Sequence, residues 1–194
     1  MTPRDTAAQL SPNQLEKQRQ IVEAAQLVLA RDGLAGCTVR AIAEAGPLTK
    51  SAIHYYFADL DDLVDRAIAG HIRNFVTRIR EAAAEHEDPR ERFWAGVEAY
   101  LDIFQNTPGA ALLWFDYWID ASRKGRLESV AATQSECVGI FAELLAAIPV
   151  DHPEGRAGTL YSYLLGTIVQ QTVQPRPFDE IKAQVATICP FNTR

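Results

Sequence analysis

The side chains best suited to binding a polyanion lie between Thr38 and Phe57. This segment has the sequence TVRAIAEAGPLTKSAIHYYF. Thr38 and Thr49 can each cap a short helix, since a threonine hydroxyl accepts a hydrogen bond from a backbone N–H of the first helical turn. Other N–H groups at such helix starts can bind phosphate oxygens. Lys50 and Ser51 follow the second cap and add a positive charge and a hydroxyl group.

The two caps and the Gly46-Pro47 pair between them predict a short helix, a tight turn and a second short helix. This is the layout of a helix-turn-helix, whose second helix enters the major groove of DNA and presents its N-terminal residues to the bases. Lysine, serine and alanine there can reach guanine, a phosphate or a thymine methyl, while exposed side chains further along reach phosphates. Tyr56 and Phe57 are expected to pack in the core. The predicted DNA-binding residues are Thr38, Arg40, Thr49, Lys50, Ser51, Ala52, His54 and Tyr55.

Helix start and stop signals recur along the chain, whereas strand signals are nearly absent. Capping residues followed by proline predict helix starts at Ser11-Pro12, Asp88-Pro89 and Thr107-Pro108. A long helix is expected from about 154 to 174, where Pro175 stops it. The pattern predicts an all-α protein with a flexible tail over 1–10, a three-helix helix-turn-helix domain over 11–58 and a helical ligand-binding and dimerisation bundle over 59–194.

The charge of the chain is unevenly distributed. The 194 residues carry a formal net charge of −6, yet residues 1–58 hold six basic and five acidic side chains. This asymmetry is typical of a small N-terminal DNA-binding domain followed by an acidic domain.

Several other classes of protein are disfavoured. The three cysteines are widely separated, without a CxxC pair, so we expect no zinc site and no disulfide framework. No apolar run is long enough to span a bilayer, and the N-terminus lacks a secretory signal, which favours a cytoplasmic location and no membrane contact. No P-loop, dinucleotide fingerprint, nucleophile elbow or HExxH motif is present, so we expect neither an enzyme nor a cofactor or metal.

Residues 19–68 resemble the TetR family of bacterial one-component transcriptional regulators. The chain departs from the family pattern at Gly46-Pro47, where an Ala-Gly pair is usual, at His54 in place of tyrosine and at Leu60 in place of lysine. The positions that carry the resemblance are Ile21, Ala24, Ala25, Gly33, Thr38, Val39, Ile42, Ala43, Thr49, Ile53, Tyr56, Phe57 and Leu63. The C-terminal half loosely resembles the betaine-synthesis repressor branch, whose ligand is choline.

The resemblance implies a homodimer in which the last two long helices form a four-helix bundle with those of the partner. Apolar side chains follow helical spacing along both helices. These stripes can alternatively face the core of the chain itself. The predicted dimer-interface residues are Val138, Phe141, Leu145, Leu164 and Ile168.

The aromatic run LLWFDYWID, from 112 to 120, predicts a small-molecule pocket, because aromatic side chains with a few polar groups line such sites. Trp114 and Trp118 are four residues apart and are expected to share a helix face. Carboxylates at Asp102, Asp116 and Asp120 add a preference for a cation, so we expect an aromatic, apolar or cationic inducer. Plain core packing is the alternative. The predicted ligand-binding residues are Tyr100, Phe104, Trp114, Phe115, Trp118, Tyr161 and Leu165.

These expectations combine into a ligand-responsive homodimer that represses transcription from a near-palindromic operator on double-stranded DNA. A small-molecule inducer would favour the state that does not bind DNA. The alternative is a protein of the same family that binds a ligand or another protein and has lost specific DNA binding.

Overall fold

The computed structural model describes residues 11–107 and 109–191, and all regular structure within these ranges is helical. The all-α prediction is therefore confirmed, while the tail predicted over 1–10 lies outside the described residues. The chain divides into two compact units, of which the first ends at Ala67 and the second begins at Ile68. None of the described helices is both long enough and apolar enough to cross a membrane.

The N-terminal unit contains α1 (Pro12–Gly36), α2 (Val39–Glu44), α3 (Lys50–Tyr56) and the start of α4 (Leu60–Ala84). The predicted capping box at the start of α1 is present, since Ser11 and Gln14 exchange side-chain to backbone hydrogen bonds. Gly33 adopts a φ of 71° and kinks the end of α1, a conformation that costs glycine little.

The first unit extends nine residues beyond the boundary predicted at residue 58, because it includes the first two turns of α4. Leu63, Val64 and Ala67 are buried there. The Gln26 side chain of α1 donates a hydrogen bond to the Ala67 carbonyl at 3.1 Å. Continuous α4 therefore begins in one unit and ends in the other.

The C-terminal unit contains the rest of α4 and five further helices. Asp88 caps α5 as predicted, by accepting a hydrogen bond from the Arg90 N–H at 2.6 Å. The start predicted for α6 at Thr107-Pro108 is wrong, because Gly109, with a φ of 81°, precedes the first helical residue, and Pro108 lies outside the described residues. The helices are α5 (Pro89–Asn106), α6 (Ala110–Arg123), α7 (Leu127–Ala146), α8 (Pro153–Gln171) and α9 (Phe178–Ile188).

The long helices α7 and α8 pack against each other and form the centre of this unit. Phe141, Leu145 and Leu164 have no exposed surface, and Ile168 is only 3% exposed. A side chain buried within its own subunit has no surface left to bury against a second one. These four residues are therefore removed from the predicted dimer interface, and half-buried Val138 alone remains.

We expect Phe141→Ala to lower the free energy of unfolding by about 3–5 kcal/mol, because it leaves a cavity where the Phe141 ring contacts Tyr100 at 5.7 Å. Leu112→Ala is the control, since Leu112 is 71% exposed and its truncation should change stability by less than about 0.5 kcal/mol. Urea denaturation at one protein concentration measures both variants. Equal effects would contradict the assignment of Phe141 to the core.

Candidate functional site

Two threonine caps hold the short helices α2 and α3 in the N-terminal unit. The Thr38 hydroxyl accepts a hydrogen bond from the Ala41 N–H, and the Thr49 hydroxyl accepts one from the Ala52 N–H, both at 3.1 Å. Ile42 of α2 is fully buried. Helices of six and seven residues are too short to be stable alone, so these caps and the buried side chains keep them folded.

The turn between α2 and α3 is tight and is tied to α1. The Leu48 N–H donates to the Gly46 carbonyl at 2.8 Å. The Lys17 ammonium, thirty residues away in the sequence, donates to the Pro47 carbonyl at 3.4 Å. Sequence reasoning missed Lys17, because nothing in the local pattern of α1 indicates a contact with a distant turn.

Helix α3 separates its side chains into a buried face and an exposed face. Ile53 and the capping residue Phe57 are each 2% exposed, whereas Tyr55 is 72% exposed. Ala52 and Tyr56 are half-buried. The structure thus leaves almost every residue predicted to bind DNA on the surface; the exposed ones are Thr38, Arg40, Thr49, Lys50, Ser51, His54 and Tyr55.

Ion pairs neutralise the arginines of the N-terminal unit. Arg40 pairs with Glu44 at 2.8 Å, and this carboxylate raises the pKa of the Arg40 guanidinium further above its ordinary value. Arg19, Arg31 and Arg66 also bind acidic side chains. Across residues 11–67 there are six basic and eight acidic side chains.

Lys50 differs from these arginines because no carboxylate within the described part of the chain lies within 4.0 Å of its ammonium group. It is exposed at the first position of α3. Its charge is therefore available to an external anion without the loss of an internal ion pair.

The predicted aromatic pocket separates into different clusters in the C-terminal unit. Tyr100 contacts Phe104, Phe141 and Tyr161, with ring centroids 5.2, 5.7 and 6.3 Å apart. Trp114, 6% exposed, instead contacts Tyr117 at 6.0 Å.

The second tryptophan lies in a different environment. Trp118 is 39% exposed and contacts Phe115 at 6.4 Å. Residues four apart on a helix differ by about 40° in direction, which is enough to place Trp114 in the core and Trp118 at its edge. The described ring contacts do not connect Tyr100 or Phe104 with either tryptophan.

Tyr100 and Tyr161 belong to the core beside Cys137. Burial raises the pKa of Cys137 to about 12 and raises the pKa of both tyrosines well above the ordinary value. Tyr100 and Tyr161 are only 3% and 5% exposed, and this burial favours the packing alternative for both.

A cavity of about 390 Å³ opens between α5, α6, α8 and the segment after α8. Of the residues predicted to bind a ligand, only Phe104 lines it, while Ile168, predicted at the dimer interface, also contributes. Sequence reasoning missed its polar residues, which neither an aromatic run nor a motif marks. The lining consists of Leu101, Phe104, Gln105, Ala111, Ile168, Gln171, Thr172, Pro175 and Arg176.

Two of the three carboxylates expected to favour a cation already have positive partners. Asp120 binds Lys124 at 3.0 Å and Arg126 at 2.9 Å, and Asp102 lies 3.9 Å from Arg78. Neither they nor exposed Asp116 lines the cavity. The basis for a preference for cations is therefore weaker than the sequence suggested.

All three cysteines are buried and are expected to be unreactive. Burial raises the pKa of Cys37 and of Cys189 to about 11, as it raises that of Cys137, so the unreactive thiol form dominates at neutral pH. Over residues 11–107 and 109–191, no three His, Cys, Asp or Glu side chains are grouped closely enough to hold a metal ion.

Known proteins resemble this chain in both units. Residues 21–67 match the family model described as bacterial regulatory proteins, tetR family. The HTH-type transcriptional regulator BetI of Paraburkholderia xenovorans (strain LB400) is 23% identical over 166 residues, which cover 84% of this chain and 85% of that protein.

Solved structures share the fold at lower identity. The transcriptional regulator SCO7518 of Streptomyces coelicolor A3(2) has a TM-score of 0.75 at 17% identity, with 90% of this chain and 99% of that chain covered. The multidrug binding protein EbrR, complexed with imidazole, has a TM-score of 0.69 at 21% identity, with 91% and 97% covered. These similarities support a TetR family transcriptional regulator, and the matched residues 21–67 include α2, the turn and α3.

Proposed function

We propose that this chain forms a homodimer that represses transcription and leaves its operator when a small molecule binds the C-terminal unit. The observation that carries the proposal is the exposed face of α3, on which Lys50 follows a capped helix start and has no carboxylate partner among the described residues. A transcriptional regulator of this family needs such a face to read DNA.

On DNA, α3 lies in the major groove with Ser51 and Ala52 toward the bases and with Lys50 within reach of a guanine or a phosphate. Thr38, Thr49, His54 and Tyr55 contact phosphates on either side, which positions the helix without specifying sequence. Arg40 exchanges Glu44 for a phosphate. Lys17 supports the groove-facing helix indirectly, because it holds the carbonyl of the preceding turn.

One copy of the N-terminal unit is a weak DNA ligand, because acidic side chains outnumber basic ones in residues 11–67. Two copies related by a twofold axis engage two half-sites of a near-palindromic operator, and the second contact is then effectively intramolecular. Homodimerisation therefore supplies affinity that the local charge does not.

The outer side of α7 and α8 suits a second copy of the chain. We name it the small-residue face. A Cβ added at Gly139, Gly155 or Gly166 would meet no atom within 4 Å, so there is open space above the backbone where a partner helix can approach. The face consists of Val138, Gly139 and Ala142 on α7 and Gly155, Thr159, Ser162, Gly166 and Val169 on α8.

The α8 part of this face is also nearly free of charge. Between Glu154 and Gln174 the sequence has a single basic residue, Arg156, and no acidic one. The Arg156 guanidinium is occupied, since it donates to the backbone carbonyls of Asp151 and Ile188. Burial of this surface in a dimer would leave few charged groups without solvent.

The cavity of the C-terminal unit supports control by a ligand. Its volume of about 390 Å³ lies within the range of small-molecule sites. The relative EbrR has been solved with imidazole and with proflavin. Helix α4 connects the two units covalently, so a ligand that favours one position of α4 shifts the population of dimers able to bind DNA.

One observation favours the alternative of a regulator-like protein without specific DNA binding. The excess of acidic side chains in residues 11–67 opposes contact with phosphates, and Leu60 offers no charge at the start of α4. A gel shift with the intergenic DNA beside the gene separates the two functions. The absence of any retarded complex at low salt would support the alternative.

We expect Lys50→Gln to weaken binding to that DNA about tenfold, because one charged contact is lost. It should also reduce the slope of log affinity against log salt by about 1 for each lysine–phosphate contact removed. Fluorescence anisotropy across a salt series measures both. Arg31→Gln is the control, since Arg31 is exposed, pairs with Asp32 and lies outside the predicted interface. Unchanged affinity and slope in Lys50→Gln would remove Lys50 from the interface.

We expect the double variant Ser162→Arg, Gly166→Gln to be monomeric, because it places a charge and a long side chain on the small-residue face. Neither change should strain the subunit, since Ser162 is exposed and Gly166 has open space around it. Sedimentation velocity should show twice the 21.5 kDa chain mass for the wild type and the single mass for the variant.

The matched control for the dimer is Ala183→Arg, Ala186→Gln, which adds the same side chains to the exposed side of α9. Circular dichroism confirms that both variants are folded. A variant at the small-residue face that stays dimeric would place the interface elsewhere, and a monomeric wild type would overturn the homodimer.

A further inference from the structure

One charged residue contributes to the lining of the cavity in the C-terminal unit. Its walls are mostly apolar, from Leu101, Phe104 and Ile168 among others, and its neutral polar groups include Gln105. Arg176 is the single charged residue that lines it within the described part of the chain. The one formal charge among the lining residues is therefore positive.

Arg176 is held at this position by its own backbone. The Gln171 side chain accepts a hydrogen bond from the Arg176 N–H at 2.6 Å and donates one to the Arg176 carbonyl at 3.0 Å. This pair of bonds closes the segment after α8 around Pro175. The guanidinium therefore emerges from a fixed backbone and not from an unsupported loop.

The guanidinium has only neutral partners. It donates to the side-chain oxygens of Gln184 at 3.1 Å and Gln170 at 3.4 Å. No carboxylate of residues 11–107 or 109–191 lies within 4.0 Å of it. The arginines of the N-terminal unit, by contrast, are paired with acidic side chains. An arginine with amide partners keeps most of its capacity to bind an anion.

We infer that the ligand of this cavity is a small amphipathic acid, whose carboxylate binds the Arg176 guanidinium while its apolar body packs against Phe104, Leu101 and Ile168. The Gln105 amide, at the same cavity, can donate a further hydrogen bond to the acid. The inference rests on the proposed regulation by a ligand and adds its chemical class. It also replaces the cation expected from Asp102, Asp116 and Asp120, which lie outside the lining.

The test compares ligands that share an apolar body and carry a negative, a neutral or a positive head group. The probes are 2-naphthoate, 2-naphthamide and 2-naphthylmethylammonium, together with decanoate, decanamide and decylammonium, which give the same three charges on a ring and on a chain. Isothermal titration calorimetry with the full-length protein and no DNA measures each affinity. We expect at least one carboxylate to bind the wild type about tenfold or more tightly than its amide and its ammonium counterpart.

Three variants assign that preference to Arg176. Arg176→Gln should bring the carboxylate within about threefold of its amide, and Arg176→Lys should retain most of the preference because it retains the charge. Arg123→Gln is the matched control, since it removes an exposed positive charge of the same unit outside the lining. Thermal denaturation without ligand confirms that the variants are folded.

Three results would overturn the inference. These are ammonium probes that bind as tightly as carboxylates, a carboxylate preference that survives Arg176→Gln, and a wild type that binds no carboxylate at millimolar concentration. The titrations contain no DNA, so each of these results leaves the proposed operator binding intact. Loss of DNA binding in the gel shift would conversely leave the cavity result unchanged.

Discussion

The burial of Ile53 and Phe57 beneath α3 is the constraint on which the surface chemistry of the N-terminal unit depends. A helix of seven residues gains too little from its own hydrogen bonds to remain folded in water. Its two buried side chains and the Thr49 cap supply the missing stability. Because those groups contribute stability, the exposed side chains of α3, such as Lys50 and Tyr55, need not pack against the subunit.

Helices α7 and α8 likewise have a buried side and an exposed side. Their large apolar side chains, such as Phe141 and Leu164, are used to hold the two helices together within one subunit. The surface left on their outer side, which we propose binds a second subunit, consists mainly of glycine, alanine, serine, threonine and valine. Such residues contribute little area individually, but they let helix backbones approach closely, and a close approach compensates through many small dispersion contacts.

Charge follows a pattern that runs through both units. The described arginines of the N-terminal unit are neutralised locally, and so are Asp102 and Asp120 in the bundle. Lys50 on α3 and Arg176 at the cavity, by contrast, have no carboxylate partner among the described residues. An ion pair already formed must be broken before it can bind anything else, so a group without such a partner can bind an external anion at lower cost.

Local signals in the sequence determined the helices and the exposed DNA-binding face. The caps at Ser11, Thr38, Thr49 and Asp88 act within three residues of their own position, so the sequence alone identified them. Periodicity correctly predicted an all-α chain, and the family resemblance identified the helix-turn-helix. The start of α6 was misplaced because a glycine in the left-handed region competed with a proline for that role.

Only the tertiary structure decided which apolar stripe faces which neighbour. A helical pattern shows that Phe141 and Leu145 share one side of α7 and that Leu164 and Ile168 share one side of α8, but the core of the chain and a partner subunit select the same residue types. The sequence contained no indication of the cavity. Phe104 and Arg176 are 72 residues apart and line one cavity only because α5 packs against α8. Contacts between distant residues leave no local signal in the order of the amino acids.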